Sequence, residues 1–168
     1  NDIDRYVIPG VNESSISASD KIISTTSSTT QVLALMVKML DEAFGLQRAM
    51  MTTVHAYTAD QPLADVAGAD LRRSRSAVEN IIPNTTKAPD LVKKIMPQYE
   101  GKIEGIAFNV PVPNGSCVDL TTELEKMPTI EEANQAIKSF SEGDLDGIVG
   151  YTSDPVSYTH LRAHETNV

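Results

Sequence analysis

The chain has 168 residues, of which 40% are hydrophobic, and this is enough to build one sizeable core in a globular domain. With 23 acidic against 14 basic residues, its formal charge of −9 argues against nucleic acid as a partner. No apolar run approaches the ~20 residues of a membrane span, and the single cysteine, Cys117, cannot form an internal disulfide, which favours a cytoplasmic location without membrane partners.

The first 24 residues include RYVIPGVN, an apolar stretch closed by a turn. Such a stretch is typical of the end of a larger unit, so we expect residues 1–24 to close a preceding domain and a second domain to begin at residue 25. Next comes STTSSTT, residues 24–30, in which every side chain carries a hydroxyl. Three interpretations are open for this run: a helix cap, a cradle for an anion, or a nucleophile site whose nucleophile has been changed.

A helix is predicted over residues 29–44, because apolar side chains recur there at helical spacing and a glycine follows as a left-handed stop. The stretch 46–58 is rich in β-branched and aromatic residues in its second half and predicts a strand. Met51, Thr53 and His55 share one face of that strand, since successive side chains alternate. His55 is therefore expected near the end of a strand.

Residues 59–84 show no sustained period and are too long for an idle connection, so they predict a functional or interface loop. The loop carries a basic cluster, Arg72, Arg73 and Arg75, that suits a small anion. A short helix is predicted to follow, with Pro97 as its terminator.

Two further strands are predicted at 102–112 and 116–125, and the Pro-Asn-Gly turn between them favours a hairpin. Thr129 and Glu132 then form a capping box for another helix. Helices interspersed with long strands, without a Gly-rich first turn, favour an α+β domain. We expect a mixed, largely antiparallel sheet covered by helices.

The last part of the chain, VSYTHLRAHET, is what the transposon-end adaptor of sequencing libraries encodes in one reading frame. We therefore expect residues 156–168 to be adaptor read-through and not native, and the domain that begins at residue 25 to be incomplete at 155. His160 and His164 stand four residues apart, a spacing seen in metal sites on helices. In a non-native tail that spacing predicts no metal site.

Ser28 and His55 are candidate catalytic residues, although each also has a purely structural explanation. A serine at a helix start is usually a cap, and a lone histidine is usually a structural residue. Their surroundings are more specific, because TTVHAYTAD, GKIEGIAFNVPVPN and GDLDGIVGYTSDP occur in one order with set spacing. With these motifs the chain, from about residue 7 to residue 155, resembles the catalytic domain of phosphorylating glyceraldehyde-3-phosphate dehydrogenases.

This resemblance implies an oxidoreductase that uses NAD or NADP, with a small phosphorylated or related aldehyde and inorganic phosphate as its other partners. It implies that residues 1–24 end a Rossmann domain, which would hold most of the cofactor-binding residues outside this chain. The fold expected is that of the family's C-terminal domain. A homotetramer in the cytoplasm is the implied assembly.

By the same resemblance, His55 matches the family's general base, and Ser28 stands where the family has its cysteine nucleophile. The positions that match phosphate-binding or substrate-binding residues of the family are Ser27, Thr29, Thr58, Arg72 or Arg73, and Thr86. Two positions depart from the pattern: Asn109 replaces an arginine, and Lys87 replaces a glycine. A lysine there also resembles the erythrose-4-phosphate dehydrogenases, so another sugar-phosphate aldehyde remains an alternative.

A serine hydroxyl is a far poorer nucleophile than a thiolate at neutral pH, and Cys117 lies on a later strand, so the expected activity is impaired or altered. One alternative is a catalytically silent paralogue that acts as a binding or regulatory subunit. A weaker alternative is a hydrolase that uses Ser28 and His55, for which the sequence shows no evident acidic residue to orient the imidazole.

Overall fold

The structure is a computed structural model and describes residues 3–154. Its strands are β1 (Arg5–Tyr6), β2 (Ile23–Ser24), β3 (Leu46–Ala56), β4 (Ile82–Asn84), β5 (Ile103–Val110) and β6 (Ser116–Leu124). Its α-helices are α1 (Ser28–Phe44), α2 (Ala88–Ile95) and α3 (Ile130–Ser141), with 3₁₀ turns at Glu13–Ser15 and Pro97–Tyr99. Residues 156–168, which were expected to be adaptor read-through, lie outside the described part of the chain, and so do His160 and His164.

Four strands form the main sheet in the order β4-β5-β3-β6. Strand β3 pairs in parallel with β5 and antiparallel with β6, and β4 pairs antiparallel with β5. The predicted mixed, largely antiparallel sheet of an α+β domain is therefore confirmed.

The predicted hairpin between the two later strands is wrong. Strands β5 and β6 run in opposite directions, as the Pro-Asn-Gly turn indicated, but β3 lies between them and bonds to both. Of the four strands β3 is the longest, with 11 residues, and its two edges pair along most of their length with β5 and β6. A local turn signal predicts that the chain reverses direction, but it does not determine which strand edges then pair.

Helix α1 covers one face of this sheet. Leu33, Ala34 and Val37 from the helix are buried in the main core, together with Met51 of β3 and Ile103 of β5. This is the apolar stripe that the helical spacing predicted, and fully burying a side chain as large as Leu33 or Val37 is worth about 1.5–3 kcal/mol relative to exposure. The packing holds α1 along β3, so the two elements form the frame of the site.

Residues near the amino end also enter the core. Strands β1 and β2 form a separate parallel pair, and the side chain of Ile8 is fully buried in the cluster that contains Leu33. Asn12 closes the turn after Ile8, because its side chain accepts from the Ile8 amide and donates to the Tyr6 carbonyl. The segment before residue 25 therefore packs directly on α1.

The shorter helices follow their predicted signals. Helix α3 begins at a complete capping box, in which Thr129 accepts from the Glu132 amide and Glu132 accepts from the Thr129 amide. Helix α2 ends before Pro97, as expected from the missing amide donor of proline. None of the helices within residues 3–154 combines the length and the hydrophobicity of a membrane span.

The turn from α1 into β3 is a single residue, Gly45, whose φ is +73°. Asp41 holds this turn: its backbone carbonyl accepts from the Gly45 amide at 2.8 Å, and its carboxylate accepts from the Leu46 amide at 2.6 Å. The other carboxylate oxygen accepts from the hydroxyl of Tyr99 at 2.6 Å. One aspartate thus joins the helix, the strand and the turn after α2.

Tyr99 is 2% exposed, and burial, with the Asp41 carboxylate beside it, raises the pKa of its hydroxyl well above the usual range. Folding therefore favours the protonated phenol. Its contribution to the free energy of unfolding is fully present at pH values below about 10, the ordinary pKa of tyrosine, and is lost as the pH rises further. We expect Tyr99→Phe to lower the free energy of unfolding by about 1–2 kcal/mol near neutral pH, because Asp41 loses a donor. The variant should also lose less stability than the parent at alkaline pH.

Denaturant titrations near neutral pH and above about 10 test this expectation. Tyr6→Phe is the matched control, because among residues 3–154 the Tyr6 hydroxyl makes no hydrogen bond. Equal stability of the parent and Tyr99→Phe at neutral pH, or parallel losses at alkaline pH, would contradict the role given to this hydroxyl.

Candidate functional site

The hydroxyl run divides into residues with different tasks. Ser27 is the N-cap of α1: its hydroxyl accepts from the Thr30 amide at 3.3 Å and lies 2.8 Å from the Thr30 hydroxyl. Thr29 and Thr30, which belong to the first turn of α1, are buried. Ser28, the first residue of the helix, is exposed, so its side chain stands at the positive end of the helix dipole with access to solvent.

The turn before the helix is strained. Thr26 has a φ of +68° and is the sole residue other than glycine with positive φ among residues 3–154. A β-branched residue rarely adopts this conformation, which costs on the order of 1–3 kcal/mol and is commonest at functional sites. Side chains hold the turn in place, since Ser24 accepts from the Thr26 amide and Gln31 donates to the Thr25 carbonyl.

His55 lies one residue before the end of β3 and is half-buried. Its Nδ1 is 2.7 Å from the carbonyl oxygen of Ala56, which can only accept a hydrogen bond. Nδ1 therefore carries the proton in the neutral ring, and the lone pair is on Nε2. This is the tautomer that a general base needs if Nε2 faces the reacting group.

The frame brings Ser28 and His55 to the same end of the molecule. Helix α1 has 17 residues and is about 26 Å long, and the chain reverses at Gly45 to run back as β3. The same length corresponds to about eight residues of strand, which reaches the region just before His55. Within residues 3–154 no hydrogen bond joins the Ser28 hydroxyl to the imidazole.

Three of the predicted anion-binding positions lie beyond the end of β3. The hydroxyl of Thr58 donates to Asp60, and the guanidinium of Arg73 forms an ion pair with the same carboxylate. The Thr58 bond, with the charge of Arg73, lowers the pKa of Asp60, which is therefore ionised at neutral pH. Of the two candidate arginines, Arg73 belongs to this cluster, whereas Arg72 is exposed and outside it.

The Asp60–Arg73 cluster lines an open cleft of about 430 Å³. Gln61 also lines the cleft and is buried, and its Oε1 accepts from the Thr58 amide at 3.1 Å. Its Nε2 has no partner among the described residues. Gln61 thus holds the Thr58 amide, while its own amide nitrogen is buried without a partner among the described residues. Sequence reasoning missed this residue because its signal is only its spacing from Thr58.

Thr86 lies just before α2 and is half-buried, and its hydroxyl accepts from the Ala88 amide at 3.2 Å. Lys87, which departs from the family pattern, occupies the N-cap position of α2, makes no side-chain cap and is exposed. Lys87 therefore places a cationic residue at the start of α2, directly after Thr86 in the chain.

Asn109 is 7% exposed, and its amide is used inside the protein. Its Nδ2 donates to the Ala56 carbonyl at 3.1 Å, and its Oδ1 accepts from Nδ2 of Asn84 at 2.9 Å. The pairing of Asn84 with Asn109 was not predicted from the sequence, because the two residues are 25 positions apart and belong to different strands.

Comparison with known proteins identifies this architecture. Residues 27–167 match the family described as "Glyceraldehyde 3-phosphate dehydrogenase, C-terminal domain". The chain belongs to this family. The predicted resemblance to glyceraldehyde-3-phosphate dehydrogenases is therefore confirmed.

Relatives within the glyceraldehyde-3-phosphate dehydrogenases are similar along most of the chain. The protein of that name from Priestia megaterium is 47% identical over 156 residues, which are 92% of this chain and 47% of the relative. The corresponding protein from Geobacillus stearothermophilus is 47% identical over 154 residues, 91% of this chain and 46% of the relative. The chain thus spans about half the length of the curated relatives that it matches.

The strained turn leads to a stability prediction for this family member. Thr26→Gly should raise the free energy of unfolding by about 1 kcal/mol, because glycine adopts a positive φ without steric cost, although it gains freedom in the unfolded chain. Thermal or denaturant unfolding measures the change.

Thr25→Gly is the matched control, since Thr25 is an exposed neighbour outside the positive-φ region. That substitution should lower stability by about 0.5–1 kcal/mol through the unfolded state alone. A Thr26→Gly protein as destabilised as the control would show that the turn is not strained.

Proposed function

We propose that this chain is the catalytic part of an NAD(P)-dependent oxidoreductase that acts on a phosphorylated or related aldehyde with inorganic phosphate, and that its activity is impaired or altered. The observation that carries the proposal is the pair formed by an exposed Ser28 at the start of α1 and a His55 whose Nε2 is free to accept a proton. Their presence in a glyceraldehyde-3-phosphate dehydrogenase domain supports these roles. The expected assembly is a homotetramer, and the expected location is the cytoplasm.

In the first step, the Oγ of Ser28 would attack the aldehyde carbon and form the alkoxide of a hemiacetal. The hydroxyl proton would pass to Nε2 of His55, and the π electrons of the carbonyl would move to its oxygen. An alkyl hydroxyl ionises far above any accessible pH, whereas a free cysteine thiol has a pKa of ~8.5 and a helix N-terminus lowers the pKa of a thiol placed there. The serine is therefore expected to make this step slow.

Two groups of residues support the proposal of anion binding. Ser27, Thr29 and Thr86 are the hydroxyl residues near helix N-termini that we propose for inorganic phosphate. Thr58 and Arg73 are the proposed contacts of a substrate phosphate, and Asp60 already binds both. Arg72, exposed on the same loop, remains a weaker candidate.

The described residues do not fit a dinucleotide cradle of their own. Within residues 3–154, the turn from β2 into α1 has the sequence TTS and no strand leads into a G-x-G-x-x-G turn and helix. We therefore expect NAD or NADP to be held mostly by residues outside this part of the chain. When bound, its nicotinamide would supply the hydride acceptor.

Two alternatives have different consequences. A silent paralogue acting as a binding or regulatory subunit is favoured by Asn109, whose amide has internal partners where the family pattern has an arginine. A hydrolase using Ser28 and His55 is less favoured, because a backbone carbonyl and not a carboxylate orients the imidazole.

The test is NADH or NADPH formation by the full-length protein with glyceraldehyde 3-phosphate and saturating phosphate. We expect the protein to be at least about a thousandfold slower than active family members, in line with the loss of a catalytic group. Ser28→Cys should recover part of the rate, because a thiolate forms where a hydroxyl cannot ionise.

Thr25→Cys is the control, since it introduces an exposed thiol outside the helix and should give no gain. An unsubstituted protein as fast as Ser28→Cys would refute the impaired activity. Nucleotide binding without turnover in either protein would favour the silent paralogue, and ester hydrolysis abolished by Ser28→Ala would favour the hydrolase.

A further inference from the structure

A chain of hydrogen bonds runs from β4 across β5 to the end of β3. The Thr85 amide donates to Oδ1 of Asn84 at 2.9 Å, and Nδ2 of Asn84 donates to Oδ1 of Asn109 at 2.9 Å. Nδ2 of Asn109 then donates to the carbonyl of Ala56 at 3.1 Å. Each amide donates in the same direction, so the chain has one consistent orientation that ends on the Ala56 oxygen.

The Ala56 oxygen is also the partner of His55. Because a carbonyl has two lone pairs, it accepts from Nδ1 of the imidazole and from the amide of Asn109 together. Asn109 is the neighbour of His55 in the parallel register of β3 and β5, so its side chain reaches this oxygen from the adjacent strand. Asn109 is only 7% exposed, and this burial keeps water from replacing its amide at the Ala56 oxygen.

We propose that Asn109, with Asn84 behind it, is a positioning residue for His55. It fixes the Ala56 carbonyl at the end of β3, and the carbonyl in turn fixes the plane of the imidazole and the proton on Nδ1. The amide pair thereby keeps the lone pair of the neutral ring on Nε2. Asn109 acts through Ala56 and does not itself contact a ligand, since its amide already bonds to Ala56 and Asn84.

This inference rests on the proposed function only for its effect on turnover. The orientation of the imidazole is a property of the folded protein and is measurable without substrate. The two parts are therefore tested by separate readouts: the tautomer of His55 by ¹⁵N spectroscopy of the imidazole, and the kinetic constants in the Ser28→Cys background.

Asn109→Leu removes the amide and keeps a side chain of similar shape. Without Asn109 the Ala56 carbonyl is no longer fixed, and the Nδ1–H of His55 loses its aligned acceptor. We expect the ratio of the Nδ1–H to the Nε2–H tautomer to fall about fivefold, which corresponds to the loss of this one net neutral hydrogen bond. Asn84→Ala, at a half-buried position that tolerates truncation more easily, should lower the ratio about twofold because Asn109 loses the group that orients it. The double variant should not exceed Asn109→Leu, since the two residues act as one chain.

Thr53→Val is the matched control. Thr53 lies on β3 two residues before His55 and is 3% exposed, and its hydroxyl has no partner among the described residues. Replacing it by valine changes the same strand without removing a hydrogen bond. The tautomer ratio of His55 should stay unchanged in this variant.

In the Ser28→Cys background, Asn109→Leu should lower kcat about fivefold with little change in KM, because it misaligns the base without removing a substrate contact. An unchanged or higher Nδ1–H ratio in Asn109→Leu and Asn84→Ala would overturn the inference, and so would an equal change in Thr53→Val. A rise in KM at constant kcat would also overturn it, since that result indicates a substrate contact. If no variant turns over aldehyde but the tautomer ratio falls as expected, the proposed function fails and the positioning of His55 is supported.

Discussion

The single-residue reversal at Gly45 is the constraint on which the rest of the site depends. Its φ of +73° is the reason for glycine, because residues with a Cβ rarely adopt this conformation, whereas the exposed Glu125 carboxylate near the position of a Cβ could move aside. The end of β6 completes the turn, because the amides of Glu125 and Lys126 donate to the carbonyls of Gly45 and Phe44. With no slack between helix and strand, the register of α1 on β3 determines how far Ser28 lies from His55.

Much of this frame could be predicted from the sequence, because it is encoded by short-range patterns. The stripe of apolar residues gave α1, the β-branched run gave β3, and Thr129 with Glu132 gave the start of α3. The candidate site residues were located by motifs with set spacing. The family comparison confirms the membership that these motifs implied.

The features that could not be predicted depend on contacts between distant segments. Placing β3 between β5 and β6 is a competition among strand edges, which a turn signal does not resolve. The Asn84–Asn109 pair exists only because β4 and β5 are neighbours. The positive φ of Thr26 contradicts local propensity, so it is imposed by the surrounding turn and not by the residue itself.

The two candidate catalytic residues lie on segments of different rigidity, and this difference affects how the distance between them can change. His55 lies on a central strand that is hydrogen-bonded on both sides, which belongs to the part of a fold that opens least often. Ser28 follows a loop segment with a high-energy backbone conformation and few buried apolar contacts. Changes in the separation between the hydroxyl and the imidazole should therefore arise from displacement of the 24–28 turn, with the histidine as the fixed reference.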